Sequence, residues 1–278
     1  MRYFHVDVFT EVPLSGNGLT IFFPDTELSY DRMLRLTQEM KQFESIFLRQ
    51  YADDAFDARA FTVEEELAFA GHPSLGAAAQ LHALYKEGAG EARWMLRFSS
   101  KTIPVVTHRT AFGFTAEMNQ GAALFGERPG PAAVQPILDA LGIDGVDDRY
   151  PVQVVSTGLR YLLVPLRERF VETPIGARNL SGLLEAVGAQ FIGLVDVDGR
   201  SIRTGDNEGR VEDIATGSLA GPAGAYFVRY GAAAAGSEID IVQGVHLGRE
   251  SHLYVTVRDE GVFVRGGVVP LAAGRMHV

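Results

Sequence analysis

The chain opens on a polar–apolar alternation, Arg2-Tyr3-Phe4-His5-Val6-Asp7-Val8-Phe9, whose period of two is that of a strand with one buried face. Similar short runs predict strands at 3–10, 19–23, 45–48, 59–61, 94–98, 103–108 and 111–117 in the first half. In the second half they fall near 152–156, 161–165, 191–196, 239–243, 253–258 and 262–265. A helical period appears where Met33, Leu36 and Met40 form one stripe, on a helix that Ser29 can cap, and further helices are read at 132–141 and 180–187. The stretch from Asn119 to Pro131, with Gly121, Gly126, Gly130 and two prolines, reads as a linker. It divides a domain at 1–118 from one at 131–265, and a last strand within 266–278 can return to the first. Strands and helices mix without the regular alternation of a doubly wound parallel sheet, which gives an α+β class.

Two stretches depart from amphipathic patterning. Ala77 to Tyr85 and Ala223 to Tyr230 are apolar nearly all round, as expected of a helix wrapped by other structure. Each follows a similar run. The first is Glu66-Leu67-Ala68-Phe69-Ala70-Gly71-His72-Pro73-Ser74-Leu75-Gly76; the second is Glu212-Asp213-Ile214-Ala215-Thr216-Gly217-Ser218-Leu219-Ala220-Gly221-Pro222. One offset, close to half the chain, pairs Glu66 with Glu212, Gly71 with Gly217 and His72 with Ser218. Such a repeat predicts two related domains. Each run is a helix start, where backbone N–H groups without intrahelical partners and the positive dipole end favour an anion. Pro73 suits the first helical position, and Ser218, with Asp213 and Thr216 upstream, offers capping or ligand groups. Either run alone also fits an ordinary glycine-rich capping turn. Together they predict two central helices whose polar starts, at His72 and Ser218, face one cleft.

Composition narrows the chemistry. At 278 residues the chain is long enough for two medium domains with real cores. A formal net charge of −10 provides no basic footprint for nucleic acid or an anionic membrane. The alternating N-terminus lacks the apolar core of a signal peptide, and no run reaches transmembrane length, so a soluble, cytoplasmic protein is expected. With no cysteine, disulfides, thiolate metal sites and thiol catalysis are excluded. The histidines show no metal-ligand spacing, and no metal is expected.

Phe69-Ala70-Gly71-His72-Pro73-Ser74-Leu75-Gly76, with Glu212-Asp213 and Ala215-Thr216-Gly217-Ser218, resembles the two signatures of the PhzF-type phenazine-biosynthesis isomerases. The likeness extends to Val6-Asp7-Val8-Phe9-Thr10, to Gly16-Asn17, to Glu44 followed by Ser45 and Phe47, and to Gln243-Gly244 with Gly248-Arg249. This resemblance implies the diaminopimelate-epimerase-like fold: two pseudo-symmetric domains, each a strongly bent, mostly antiparallel sheet around a central helix, with the active site between them. It implies a cofactor-independent isomerase that moves a proton within a small carboxylated substrate, such as a cyclic dihydro-hydroxyanthranilate, and a homodimer. It implies Glu44 as the proton shuttle, and Gly71, His72, Asp213, Gly217 and Ser218 as substrate-binding residues. A glutamate can serve as both base and acid if burial raises its pKa. An epimerase or racemase of a small amino or hydroxy acid, and a catalytically silent binding protein of the same fold, are the alternatives.

Away from the resemblance, a lone Glu44 between a helix and a strand is ordinarily solvated, and His72 could simply cap its helix. Glu212 and Asp213, adjacent in an extended segment, would point to opposite faces and cannot share a role. The chain departs from the family at Gly18 and Ala68, where proline is common, at Phe61-Thr62-Val63 and Thr204-Gly205-Asp206-Asn207, which replace an aromatic-small-proline turn, and at Glu250.

Overall fold

A computed structural model describes residues 1–277. In chain order the elements are β1 (Arg2–Val8), β2 (Asn17–Phe23), α1 (Tyr30–Met40), β3 (Glu44–Ala52), β4 (Ala55–Thr62), β5 (Glu66–Leu67), α2 (Gly71–Tyr85), β6 (Glu91–Arg97), β7 (Thr102–Arg109) and β8 (Phe114–Asn119). Then follow β9 (Leu124–Phe125), α3 (Pro131–Ala140), β10 (Gln153–Ser156), β11 (Arg160–Pro165), α4 (Leu180–Ala186), β12 (Phe191–Asp196), β13 (Ser201–Arg203), α5 (Gly217–Arg229), β14 (Glu238–Gln243), a 3-10 turn (Val245–Leu247), β15 (Ser251–Arg258) and β16 (Gly261–Arg275). Two compact units result. One comprises Met1–Asn119, Arg249–His252 and Arg265–Val278; the other comprises Gln120–Gly248 and Leu253–Val264. The α+β class expected from the pattern is the one observed.

In the first unit the strands run β1-β2-β3-β4-β6-β7-β8-β16, and β16 pairs back onto β1, so the sheet closes on itself. Helix α2 lies inside, against β1, β2, β3, β6, β7 and β8. Small residues make that possible. A Cβ on Gly76 would stand 2.5 Å from Leu19 Cδ2 and 3.0 Å from Val8, so the helix approaches β1 and β2 as closely as glycine permits. Leu75 and Leu81 are wholly buried there, each contributing about 1.5–3 kcal/mol of hydrophobic stabilisation. Helix α1 is set as its sequence directs: Ser29 Oγ accepts from Arg32 N at 3.3 Å, and Met33 and Leu36 pack with Phe22, Phe47 and Phe61. Because neighbours in a strand alternate, the side of β3 that gives Phe47 to α1 leaves Glu44 and Ile46 for the α2 side.

The segment 249–252 belongs to the first unit because Arg249 anchors it. Its guanidinium donates to Asp7 Oδ1 at 2.7 Å and to the carbonyls of Gly16 and Ser15 at 2.7 and 2.9 Å, and Gly16 N donates to Glu250 O. Gly16 has φ +66 and no room for a Cβ, which would stand 2.4 Å from Val8 O. Thus Gly16 and Arg249, two of the residues that carry the family resemblance, secure the chain's return.

The second unit orders its strands β15-β14-β13-β12-β11-β10-β9. On one side Ile137 of α3 and Leu180 and Leu184 of α4 pack on Leu162, Val164, Ile192 and Leu194. The alternate positions, Leu163 and its partner Gly193, face α5: a Cβ on Gly193 would stand 2.5 Å from Leu219. In both units, therefore, the all-apolar helix is the one the sheet wraps. The pairings are mixed, with β2–β3, β4–β6, β11–β12 and β13–β14 parallel. The stretch read as a linker contains β9, which pairs with β10.

Candidate active site

Glu44 is the first residue of β3, and the structure places it 9% exposed rather than solvated. Its Oε2 lies 3.4 Å from Nδ1 of His72, the second residue of α2, which is 3% exposed. At that separation a protonated imidazole would form an ion pair with Glu44. Burial argues the other way: it lowers the His72 pKa from 6.5 to about 3. Nε2 is buried without a hydrogen-bond partner among the described residues. The ring is therefore neutral, and the Glu44–His72 contact joins a carboxyl group to an uncharged imidazole.

Helix α2 begins at Gly71, after Ala70, and no side chain caps it. Pro73 is thus the third helical residue and not the first; it is still within the turn whose N–H groups lack intrahelical partners, so its missing donor is harmless. Upstream, Glu66 on β5 binds the Arg59 guanidinium in a two-bond fork at 2.7 and 2.6 Å.

The second unit repeats that fork. Glu212 binds Arg203 at 2.7 and 2.8 Å, and His246 Nε2 lies 2.9 Å from the same carboxylate. Burial pushes the Glu212 pKa up, but Arg203 and His246 outweigh it and hold the group below the usual carboxylate range. Arg203 also donates to the carbonyls of Phe170 and Thr173. The repeated acids are accordingly arginine anchors. Asp213, the next residue, is 5% exposed and accepts from Thr216 Oγ1 at 2.5 Å.

Helix α5 starts at Gly217, with Thr216 at the cap position and no side-chain capping bond. Ser218 does not cap it; its Oγ is 2.8 Å from the hydroxyl of Tyr161. Buried amides hold this end. Gln243 accepts from Thr216 N at 2.8 Å, while Gln120 donates to Gly217 O at 2.9 Å and accepts from Thr157 at 2.7 Å. Glu44 and His72 are thus brought together in the first unit, and Asp213, Gly217 and Ser218 in the second. Sequence reasoning missed Tyr161, Gln120 and Thr157, and Gln243 entered only through the resemblance. No local pattern marks them, because Gln120 and Gly217 are 97 positions apart. One departure from the family has a visible reason: a Cβ on Gly18 would stand 2.4 Å from Gln42 Oε1, so the Gln42 amide fills the space a proline would need. A cleft of about 410 Å³ between the loops at 142–148 and 166–173 is lined by none of these residues.

The family model described as phenazine biosynthesis-like protein (PhzC-PhzF) matches residues 6–178, more than half of the chain. The chain belongs to this family. It is 33% identical to the trans-2,3-dihydro-3-hydroxyanthranilate isomerase of Pseudomonas aeruginosa, over 100% of this chain and 99% of that one. A solved structure described as a predicted epimerase from Pseudomonas aeruginosa is similar with TM-score 0.94 and 45% identity, covering 100% and 99% of the two chains. A hydroxyproline epimerase from Agrobacterium vitis, 13% identical with TM-score 0.63, covering 98% and 92%, shares the fold. The protein is a PhzF-like isomerase of the fold that the resemblance implied.

Proposed function

We propose that this PhzF-family isomerase moves a proton between two carbons of a small carboxylated, cyclic dihydro-hydroxyanthranilate-like substrate, using Glu44 as base and then acid and no cofactor. The carrying observation is a buried carboxyl group beside an imidazole that burial keeps neutral. A histidinium at 3.4 Å would hold Glu44 ionised and oppose its conversion to an acid. A neutral ring leaves both forms accessible, as a shuttle requires. The substrate C–H bond breaks as the Glu44 O–H bond forms; the carboxyl proton exchanges with solvent, and Glu44 then delivers a proton to the second carbon as the double bond shifts. Gly71 and Gly217 offer helix-start N–H groups to a carboxylate, and His72, Asp213 and Ser218 contact the polar substituents. The name of the relative at 33% identity supports the substrate class.

The test is turnover of trans-2,3-dihydro-3-hydroxyanthranilate in deuterium oxide. A shifted double bond with deuterium at the receiving carbon supports the reading; an inert compound refutes this substrate. The neighbour described as a predicted epimerase favours a second reading, inversion at one carbon of an amino or hydroxy acid. That outcome would label the same carbon it inverts. A silent binding protein would label nothing. No helix among the described residues is long and apolar enough to cross a membrane. We place the enzyme in the cytoplasm as a homodimer, and light scattering should give twice the 30.2 kDa chain mass.

A further inference from the structure

Gln243, the last residue of β14, is 2% exposed, and the reaction scheme above gives it no task. Its Oε1 accepts from Thr216 N at 2.8 Å, while its Nε2 donates to Asp213 O at 2.8 Å and to Thr216 Oγ1 at 3.1 Å. These neighbours fix which end of the amide is which. Flipped, the NH2 group would face the Thr216 N–H and the oxygen would face the Asp213 carbonyl, placing donor on donor and acceptor on acceptor. The Thr216 hydroxyl therefore receives a hydrogen bond from Gln243. Its single proton is left for Asp213 Oδ2, 2.5 Å away.

We propose that Gln243 is a positioning residue that, through Thr216, sets the direction of hydrogen bonding at Asp213. Oδ2 is held as an acceptor. The inference rests on the reading of Asp213 as a substrate-binding group and deepens it, because it states how that oxygen is engaged. A network with a fixed direction differs from mere packing in one respect: it fails when a donor becomes an acceptor of the same shape, and it recovers when the hydroxyl alone is restored.

The experiment uses the full chain with Gln243→Glu, Thr216→Val and Thr216→Ser. Nitrogen-15 NMR follows the two Gln243 Nε2 protons, assigned by correlation through the Gln243 side-chain carbons and checked by their loss in Gln243→Glu. In the wild type both should exchange with solvent at least about tenfold more slowly than those of exposed glutamines, as expected for buried donors with partners. Thr216→Val should speed one of the two and shift its resonance; Thr216→Ser should change neither. Unchanged exchange in Thr216→Val would overturn the assignment. With trans-2,3-dihydro-3-hydroxyanthranilate, Gln243→Glu and Thr216→Val should lower kcat/KM by about tenfold or more, the scale of one buried hydrogen bond to a charged group, with Thr216→Ser within about threefold of wild type. A folded Thr216→Val enzyme with wild-type kcat/KM would also overturn the proposal. Should Gln243→Glu fail to fold, Thr216→Val carries both readouts. Should the wild type leave the compound unchanged, the substrate reading fails while proton exchange still decides the present inference.

Discussion

Holding His72 neutral should make folding depend on pH in a way that can be isolated. The imidazole pKa falls from 6.5 to about 3 through burial, so between those values the unfolded chain carries a proton on His72 that the folded chain does not. Stability rises with pH wherever the unfolded state binds more protons. The contribution is therefore complete above pH 6.5 and is lost as pH falls toward 3. At pH 5, some 1.5 pH units below the unfolded value, the loss is about 2 kcal/mol, at roughly 1.36 kcal/mol per unit. His72→Asn abolishes this dependence whatever constant cost its smaller side chain adds. Calorimetric unfolding at pH 5 in two buffers of different ionisation enthalpy should show the wild type taking up one more proton than the variant. His5 and His82, whose pKa values burial also lowers, are present in both proteins and cancel in the difference. Equal proton uptake by the two would refute the neutral ring. It would remove the principal support for Glu44 as a two-way proton carrier.

Three further outcomes are expected. Glu44→Gln keeps the side-chain shape and removes the base, so turnover should fall at least about a hundredfold with ligand affinity nearly intact, whereas Asp213→Asn should impair both; isothermal titration beside initial rates separates the two. Arg203→Met should cost about 3–5 kcal/mol in urea unfolding because Glu212 stays buried without its guanidinium, while Arg59→Met, whose arginine is 41% exposed, should cost no more than about 1 kcal/mol. Gly221→Ala would drive a Cβ to within 2.1 Å of Gln120 Oε1, and thermal unfolding should register a loss of about 1–3 kcal/mol.

The sequence alone determined the strand-rich α+β pattern, the capped helix with its Met33 and Leu36 stripe, and the pair of all-apolar helices. These are local properties, written in periods of two or 3.6 and in the absence of charge. The repeat carried further, because an acid before a glycine-rich helix start appears at one offset in both halves. Two- and three-residue strands such as β5, β9 and β13 left no period to read. What only the tertiary structure decided is partnership. The repeat pairs Glu66 with Glu212 but names a partner for neither; the fold supplies Arg59 and Arg203. Apart from the family resemblance Glu44 reads as an ordinary solvated acid; in the fold the alternation of β3, fixed by Phe47 packing under α1, turns it toward His72. The protonation of His72 and the orientation of the Gln243 amide depend on burial and on neighbours distant in the chain. Desolvation and hydrogen-bond geometry arise only when the chain folds, so no reading of spacing could have supplied them.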